Sequence, residues 1–357
     1  MKKPSRVRRA PSKTSSHRSN IAEVAKAADV SVATVSRALQ MPHVVASKTL
    51  ERVQKAVDRL GYAPNAQARM LRTARSNVIV AMVPDISNPF FSEVIRGIEQ
   101  VAQQNRYSVL LGDTQYNRER EQAYADLLAT RQAAGLITLL PHLPRLPNRA
   151  FAAIVSVSGY IKDPAISSVY VDNIAAARDA TSYLLNVGHV DIAFITGPMT
   201  NPICVDRERG YQEALRIAGL RRNPTLTVTG DFSVESGIRG IDTLLSGRRK
   251  FTGVFCSNDE MAIGAVRALK ARGLRVPEDV SVVGFDDIRF ARYCDPPLTT
   301  IAQPKGELGR EAMSMMIEIL ADSDIPPRKC VLPTQLVVRG STAPCSASRR
   351  SLQRSRR

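Results

Sequence analysis

Between Ser76 and Asp287 short apolar runs alternate with stretches of helical period. This alternation constrains the fold more than any other feature of the chain. The runs read NVIVAMVPD, YSVLLGDT, AGLITLL, AAIVSVS, SVYVD, DIAFITG, TLTVTGD, GVFCSND and VSVVGFD, the last of which closes the series. Patterns such as PFFSEVIRGIEQVAQQN lie between them. Strands that are apolar on both faces and separated by helices predict a parallel, doubly wound α/β sheet with both faces covered. About ten strands over roughly 260 residues exceed one compact sheet, so two similar α/β lobes are expected. Ligands of open α/β sheets bind at the carboxyl ends of strands. Here those ends carry Asp85, Asp113, Asp172, Asp231, Asn258 and Asp286, which predicts a cleft lined by groups that bind hydroxyls.

Upstream, residues 21–61 read as three short helices. NIAEVAKAADV has Ile21, Val24, Ala25 and Ala28 at helical spacing, with Asn20 as N-cap. SVATVSRAL places Val35 and Leu39 on one side and turns Val32, Ala33 and Arg37 to other faces. SKTLERVQKAVDRLG carries a Leu50, Val53, Val57 and Leu60 stripe and stops at Gly61. Two short helices joined by a tight turn, with a third packed on them, form a small all-α helix-turn-helix module. Small three-helix domains also serve as protein docking units, and charge favours DNA. Of the formal charge of +17, seven units lie in residues 1–20, four in 21–72 and five in 341–357, leaving one for the long body. A basic head on a neutral body points to a polyanionic partner at the ends. The expected organisation is a basic disordered tail (1–19), a helix-turn-helix domain (20–64), a linker (65–75), a two-lobed body (76–340) and a second basic tail (341–357).

The basic N-terminus has no apolar stretch behind it, as a secretory signal would need, and no run of about 18 apolar residues occurs. The chain is expected to stay in the cytoplasm, away from membranes. Its five scattered cysteines lack a CxxC pair, so neither a disulfide framework nor a metal site is expected.

With these motifs in hand, the chain resembles the lactose repressor (LacI/GalR) family of transcription regulators over about residues 20–340. The likeness rests on VSVATVSRAL, GYAPNAQARML, DISNPFFSEVIRGIE, SNDEMAIGA, VPEDVSVVGFDD and PPLTTIAQP. The resemblance implies homodimers whose helix-turn-helix heads enter successive major grooves of a pseudo-palindromic operator. It implies a linker that folds into a hinge helix on DNA. The body would resemble a periplasmic binding protein, its effector cleft lying between two lobes crossed by three chain passages.

By the same resemblance, Val32, Ala33 and Arg37 read bases, and Thr34 serves a phosphate or the turn. Arg37 either forks to guanine or clamps a phosphate. Leu71 is the hinge wedge in the minor groove. In the cleft, Phe90, Phe91, Arg207, Phe232 and Asp286 match effector contacts, with Asp172 and Asn258 as further candidates. Arg207 would otherwise be a lobe–lobe ion pair, and Asp286 a helix cap. At the matching positions inside TNPICVDR the arginine and threonine that the purine-responsive branch offers its base are absent, and the segment is more like the branch that answers to cytidine. A nucleoside effector is favoured, with a pentose or hexose as the alternative.

Two other classes compete. A solute-binding sensor without operator binding would share the body, but it needs an export signal and no helix-turn-helix. An enzyme would have to work without a GxSxG elbow, a Walker loop, GxGxxG after a strand, or HExxH. Only His17, His43, His142 and His189 are present. No catalytic residue, cofactor or metal is assigned.

Overall fold

The computed structural model describes residues 19–62, 76–146, 153–159, 161 and 163–345. The chain divides into two units, Met1–Arg75 and Ser76–Arg357.

The first unit holds α1 (Ile21–Ala28), α2 (Val32–Gln40) and α3 (Ser47–Leu60). Asn20 opens α1 with a capping box, its Oδ1 accepting from Glu23 N while Glu23 Oε2 accepts from Asn20 N. Asp29 ends α1 at φ 50°, and Ser31 caps α2 by accepting from Thr34 N. Gly61 closes α3 at φ 56°, a left-handed position that glycine takes without a steric cost. Val24, Ala28, Val35, Ala38, Val53 and Ala56 make a core of small side chains, which lets the helices approach closely. Arg52 of α3 donates to the carbonyls of Ala28 and Asp29, satisfying the end of α1 and fixing the turn before α2.

The second unit begins with β1 (Val78–Val83), α4 (Pro89–Gln104), β2 (Ser108–Asp113), α5 (Arg118–Ala129), β3 (Gly135–Thr138), β4 (Ala153–Ser158) and β5 (Ser167–Val171). Next come α6 (Asn173–Asn186), β6 (Ile192–Thr196), α7 (Pro202–Ile217), β7 (Thr227–Thr229), α8 (Val234–Ser246), β8 (Gly253–Cys256), α9 (Asp259–Ala271) and β9 (Ser281–Asp286). The unit ends with β10 (Thr299–Ala302), α10 (Lys305–Ala321), β11 (Lys329–Leu332) and β12 (Gln335–Val337). Two six-stranded sheets result, ordered β11-β5-β4-β3-β1-β2 and β12-β10-β9-β8-β6-β7. They form the two lobes expected from the alternation. The chain crosses between sheets after β5, after β10 and after β11, giving three passages.

The strand series does not close at VSVVGFD. Past Asp287 the chain adds β10 to the second lobe, returns to the first as α10 and β11, and ends in β12. That last strand pairs antiparallel with β10, an exception to the expected parallel pattern. Helix α10 lies against α4, and the contact depends on glycine. A side chain at Gly97 would strike the backbone of Gly306, and one at Gly309 the backbone of Val94.

The second basic tail also starts later than residue 341. Ser341 is fully buried, its hydroxyl donating to Val282 O and accepting from Thr299 N. His189 Nε2 meets Ala343 O at 3.1 Å, and Cys345 is buried too. Residues 341–345 therefore belong to the second lobe. The charge excess lies beyond them, outside the described residues.

Candidate effector cleft and reading helix

A cavity of about 310 Å³ lies between the lobes of the body, at the carboxyl ends of the strands. The first lobe contributes Phe90 and Phe91 after β1, Tyr116 and Arg118 after β2, His142 after β3, and Ser158 at the end of β4. The second lobe contributes Asn201 after β6, Phe232 after β7, Asn258 after β8, Asp286 at the end of β9 and Gln303 after β10. Four of these residues hold backbone in the left-handed region: Tyr116 (φ 55°), Ser158 (69°), Phe232 (72°) and Asp286 (117°). Strain of this kind is tolerated where the surrounding structure fixes it, and it gathers at binding sites.

Arg207 is 3% exposed on the inner face of α7. Its Nε donates to Asn173 Oδ1 at 2.8 Å, its Nη1 donates to Ser257 O, and its guanidinium carbon stands 3.6 Å above the Phe285 ring. All three partners belong to the second lobe, so the lobe–lobe ion pair is not formed. Burial pulls the Arg207 pKa down, while Asp286 and then Cys204 and Asp259 oppose that. Asp286 is 5% exposed and accepts from Gln303 Nε2 at 2.7 Å. Burial pushes its carboxyl up to about 6, with Arg207, Gln303 and Lys305 pulling the other way. Asp286 caps no helix. Its backbone carbonyl instead accepts from Lys305 Nζ at 2.7 Å, which ties the end of β9 to the start of α10. Gln303 Oε1 is buried with no hydrogen-bond partner among the described residues, an open acceptor in the wall of the cavity.

Phe232 lies over Gly197, where any side chain would run into its ring. Its carbonyl accepts from Asn258 Nδ2 at 2.9 Å, and Asn258 Oδ1 caps α9. Asn258 thus shapes the wall with both ends of its amide already engaged. Phe90 and Phe91 meet edge to face with centroids 5.3 Å apart. Phe90 is buried in the lobe core, and Phe91 keeps a partly open face. Asp172 does not line the cavity. It caps α6 from the surface, its Oδ1 accepting from Ile174 N and Ala175 N. A residue one step past a strand can cap the next helix instead of entering the cleft, and the short turn here selects the cap.

Several lining residues were missed from the sequence: Tyr116, Arg118, Glu121, His142, Ser158 and Gln303. Their signal was position, since most follow strand ends, but TQYNRERE read as helix start and PHLPRL as loop. Among the described residues, no group of three His, Cys, Asp or Glu is placed to hold a metal ion, and no helix is long and apolar enough to cross a membrane.

In the first unit, Val32, Ala33 and Arg37 project into solvent from α2, with Val32 42% exposed. Thr34 is partly covered, its hydroxyl sharing a hydrogen bond with Ser31. Arg37 forms no ion pair with any described residue. Leu71 and the hinge segment lie outside the described residues.

Residues 20–65 match the profile of bacterial regulatory proteins of the lacI family, and residues 181–342 that of a periplasmic binding protein-like domain. The HTH-type transcriptional repressor CytR of Escherichia coli (strain K12) is 40% identical over 324 residues, covering 90% of this chain and 95% of that one. The chain belongs to the LacI family. This LacI-family transcriptional regulator is also 38% identical to the HTH-type transcriptional regulator RegA of Clostridium saccharobutylicum, over 90% of this chain and 99% of that one. Among solved structures, the lac repressor dimer bound to operator and the anti-inducer ONPF matches with a TM-score of 0.81 at 27% identity, covering 91% of this chain and 99% of that one. The transcriptional regulator CelR in complex with cellobiose matches at 0.70 and 31% identity, covering 91% and 100%. The matched DNA-reading domain disfavours a sensor that never touches an operator.

Proposed function

We propose that this regulator acts in the cytoplasm as a homodimeric repressor of a pseudo-palindromic operator, and that a small neutral effector held between its lobes sets its DNA affinity. The α2 residues Val32, Ala33 and Arg37 read each half-site, and Leu71 wedges the central step. Phe91 and Phe232 cover the faces of the effector, while Arg207, Asp286 and Gln303 meet its polar edge. The observation that carries this reading is the pair of buried side chains Arg207 and Asp286 lining the same interlobe cavity as the aromatic rings Phe91 and Phe232. The likeness to a repressor named CytR and the aromatic platform favour a nucleoside over a free sugar. The cleft needs no catalytic step: its ligand leaves unchanged.

A thermal-shift screen of the full-length chain against cytidine, uridine, adenosine, purine bases, ribose and hexoses tests the effector. A ligand that binds the folded state raises the melting temperature with concentration. A response to sugars alone would discard the nucleoside. Operator binding should weaken steeply with salt as phosphate contacts release counterions. Arg37→Ala should lose discrimination at one base pair per half-site, by about 1–3 kcal/mol, and uniform weakening on all sequences would make Arg37 a phosphate clamp.

A further inference from the structure

The first-lobe wall contains a polar pair that the assignments above leave unused. Glu121 of α5 lines the cavity with a side chain only 3% exposed, and its Oε2 lies 2.8 Å from His142 Nε2. Arg118 Nη1 approaches the same oxygen at 3.4 Å from a largely exposed side chain. The segment that carries His142 is fixed from the same helix. Gln122 Nε2 donates to Arg145 O at 2.9 Å, and Gln122 Oε1 accepts from Arg145 N at 3.1 Å. Two adjacent residues of α5 therefore hold the imidazole in place, the kind of support a preorganised contact needs. Tyr124, Leu127, Leu128 and Leu143 pack in an apolar cluster beside it, where a carboxylate requires hydrogen-bond donors.

A carboxylate only accepts, so the Nε2 that faces it carries the proton. In the tautomer that places its proton on Nε2, the ring presents Nδ1 as an acceptor, and no described residue is hydrogen-bonded to Nδ1. We propose that His142, oriented by Glu121, is a specificity-determining contact of the first lobe, its Nδ1 accepting a hydrogen bond from a hydroxyl or amino group of the effector. The proposal rests on the effector reading of the cleft. A ligand shifts lobe closure only by contacts that differ between the open and closed states. His142 gives the first lobe a directed polar contact to set against Arg207 and Asp286 across the cavity.

The test is a cycle between ligand and residue. Full-length wild type, His142→Phe and His142→Asn are titrated with cytidine and with its 2′-deoxy, 3′-deoxy, 5′-deoxy and 4-deamino analogues, and in parallel with ribose, 2-deoxyribose and glucose. In wild type, removing one particular donor from the ligand should weaken binding roughly tenfold. In His142→Phe the same removal should cost less than about twofold, because the partner is already gone. His142→Asn, which keeps an acceptor, should restore part of the discrimination. Ligand-free melting temperatures close to wild type exclude a folding defect in either variant. Equal analogue penalties in wild type and His142→Phe would overturn the proposal and leave Glu121 and His142 as a strut of the wall. If wild type binds cytidine, ribose and glucose no better than buffer, the effector reading fails and the proposal falls with it.

Discussion

On the second-lobe wall of the cleft, Arg207, Asn258 and Asp286 are each fixed by hydrogen bonds before any ligand arrives. On the first-lobe wall the larger share belongs to aromatic and apolar groups, Phe90, Phe91, Tyr116, Leu139 and Leu140, with Glu121 and His142 as an ordered polar pair. The contrast separates two tasks. A wall of buried, tied polar groups loses little entropy on binding and selects by hydrogen-bond geometry. An apolar wall gains most when it is covered, so it favours closure over whatever the fixed second-lobe wall has selected.

Removing the centre of the fixed wall should have the largest effect. Arg207→Ala leaves Asn173 Oδ1 and Ser257 O without their donor inside the lobe, and it uncovers Phe285. The expected cost is about 3–5 kcal/mol, read as a melting temperature lower by several degrees. A variant that melts with wild type would mean that the second wall is not preassembled.

The next effect is a pH slope. Asp286 titrates near 6 in the fold, against 3.8 for an ordinary aspartate. The folded chain thus holds this proton more tightly than the unfolded one. Its contribution to stability is full below about pH 4, is lost as pH rises from 4 to 6, and stays constant above that. The loss is on the order of 2–3 kcal/mol for a shift of this size. Asp286→Asn should flatten that part of the stability–pH curve in urea unfolding, and an unchanged slope would assign the titration to another group.

On the apolar wall the effects should be smaller. Phe91→Ala should weaken effector binding by about five- to tenfold through lost aromatic cover, with the pH slope unchanged. Calorimetric titration at pH 5 and pH 8 separates the two. The smallest effect is expected at Asp172, a residue of the strand-end set that the fold turns away from the cleft. Asp172→Ala should cost about 1 kcal/mol of stability through the lost N-cap and leave effector affinity untouched. A drop in affinity there would move the boundary of the second wall.

The sequence by itself determined the helix-turn-helix, because Asn20, Gly61 and the Val35 and Val53 positions are local signals of caps and a shared apolar face. It also determined two doubly wound lobes, because strands apolar on both faces admit few other arrangements. Six of the seven expected effector residues line the cavity, Phe90, Phe91, Arg207, Phe232, Asn258 and Asp286, and were legible as strand-end chemistry or by resemblance, while Phe90 and Asp172 mark where that reading thins. Phe90 lines the cavity but is mainly core, and Asp172 caps a helix.

Only the tertiary structure decided the return of α10 to the first lobe. That step depends on Gly97 and Gly309 letting two helices meet, a contact between positions far apart in the chain. It also decided the burial of Ser341 and Cys345 and the pairing of Glu121 with His142. Local periodicity reports which face of an element is apolar. It does not report which side chains from separate elements are brought within 3 Å of one another, because that depends on how the sheets and their connections pack.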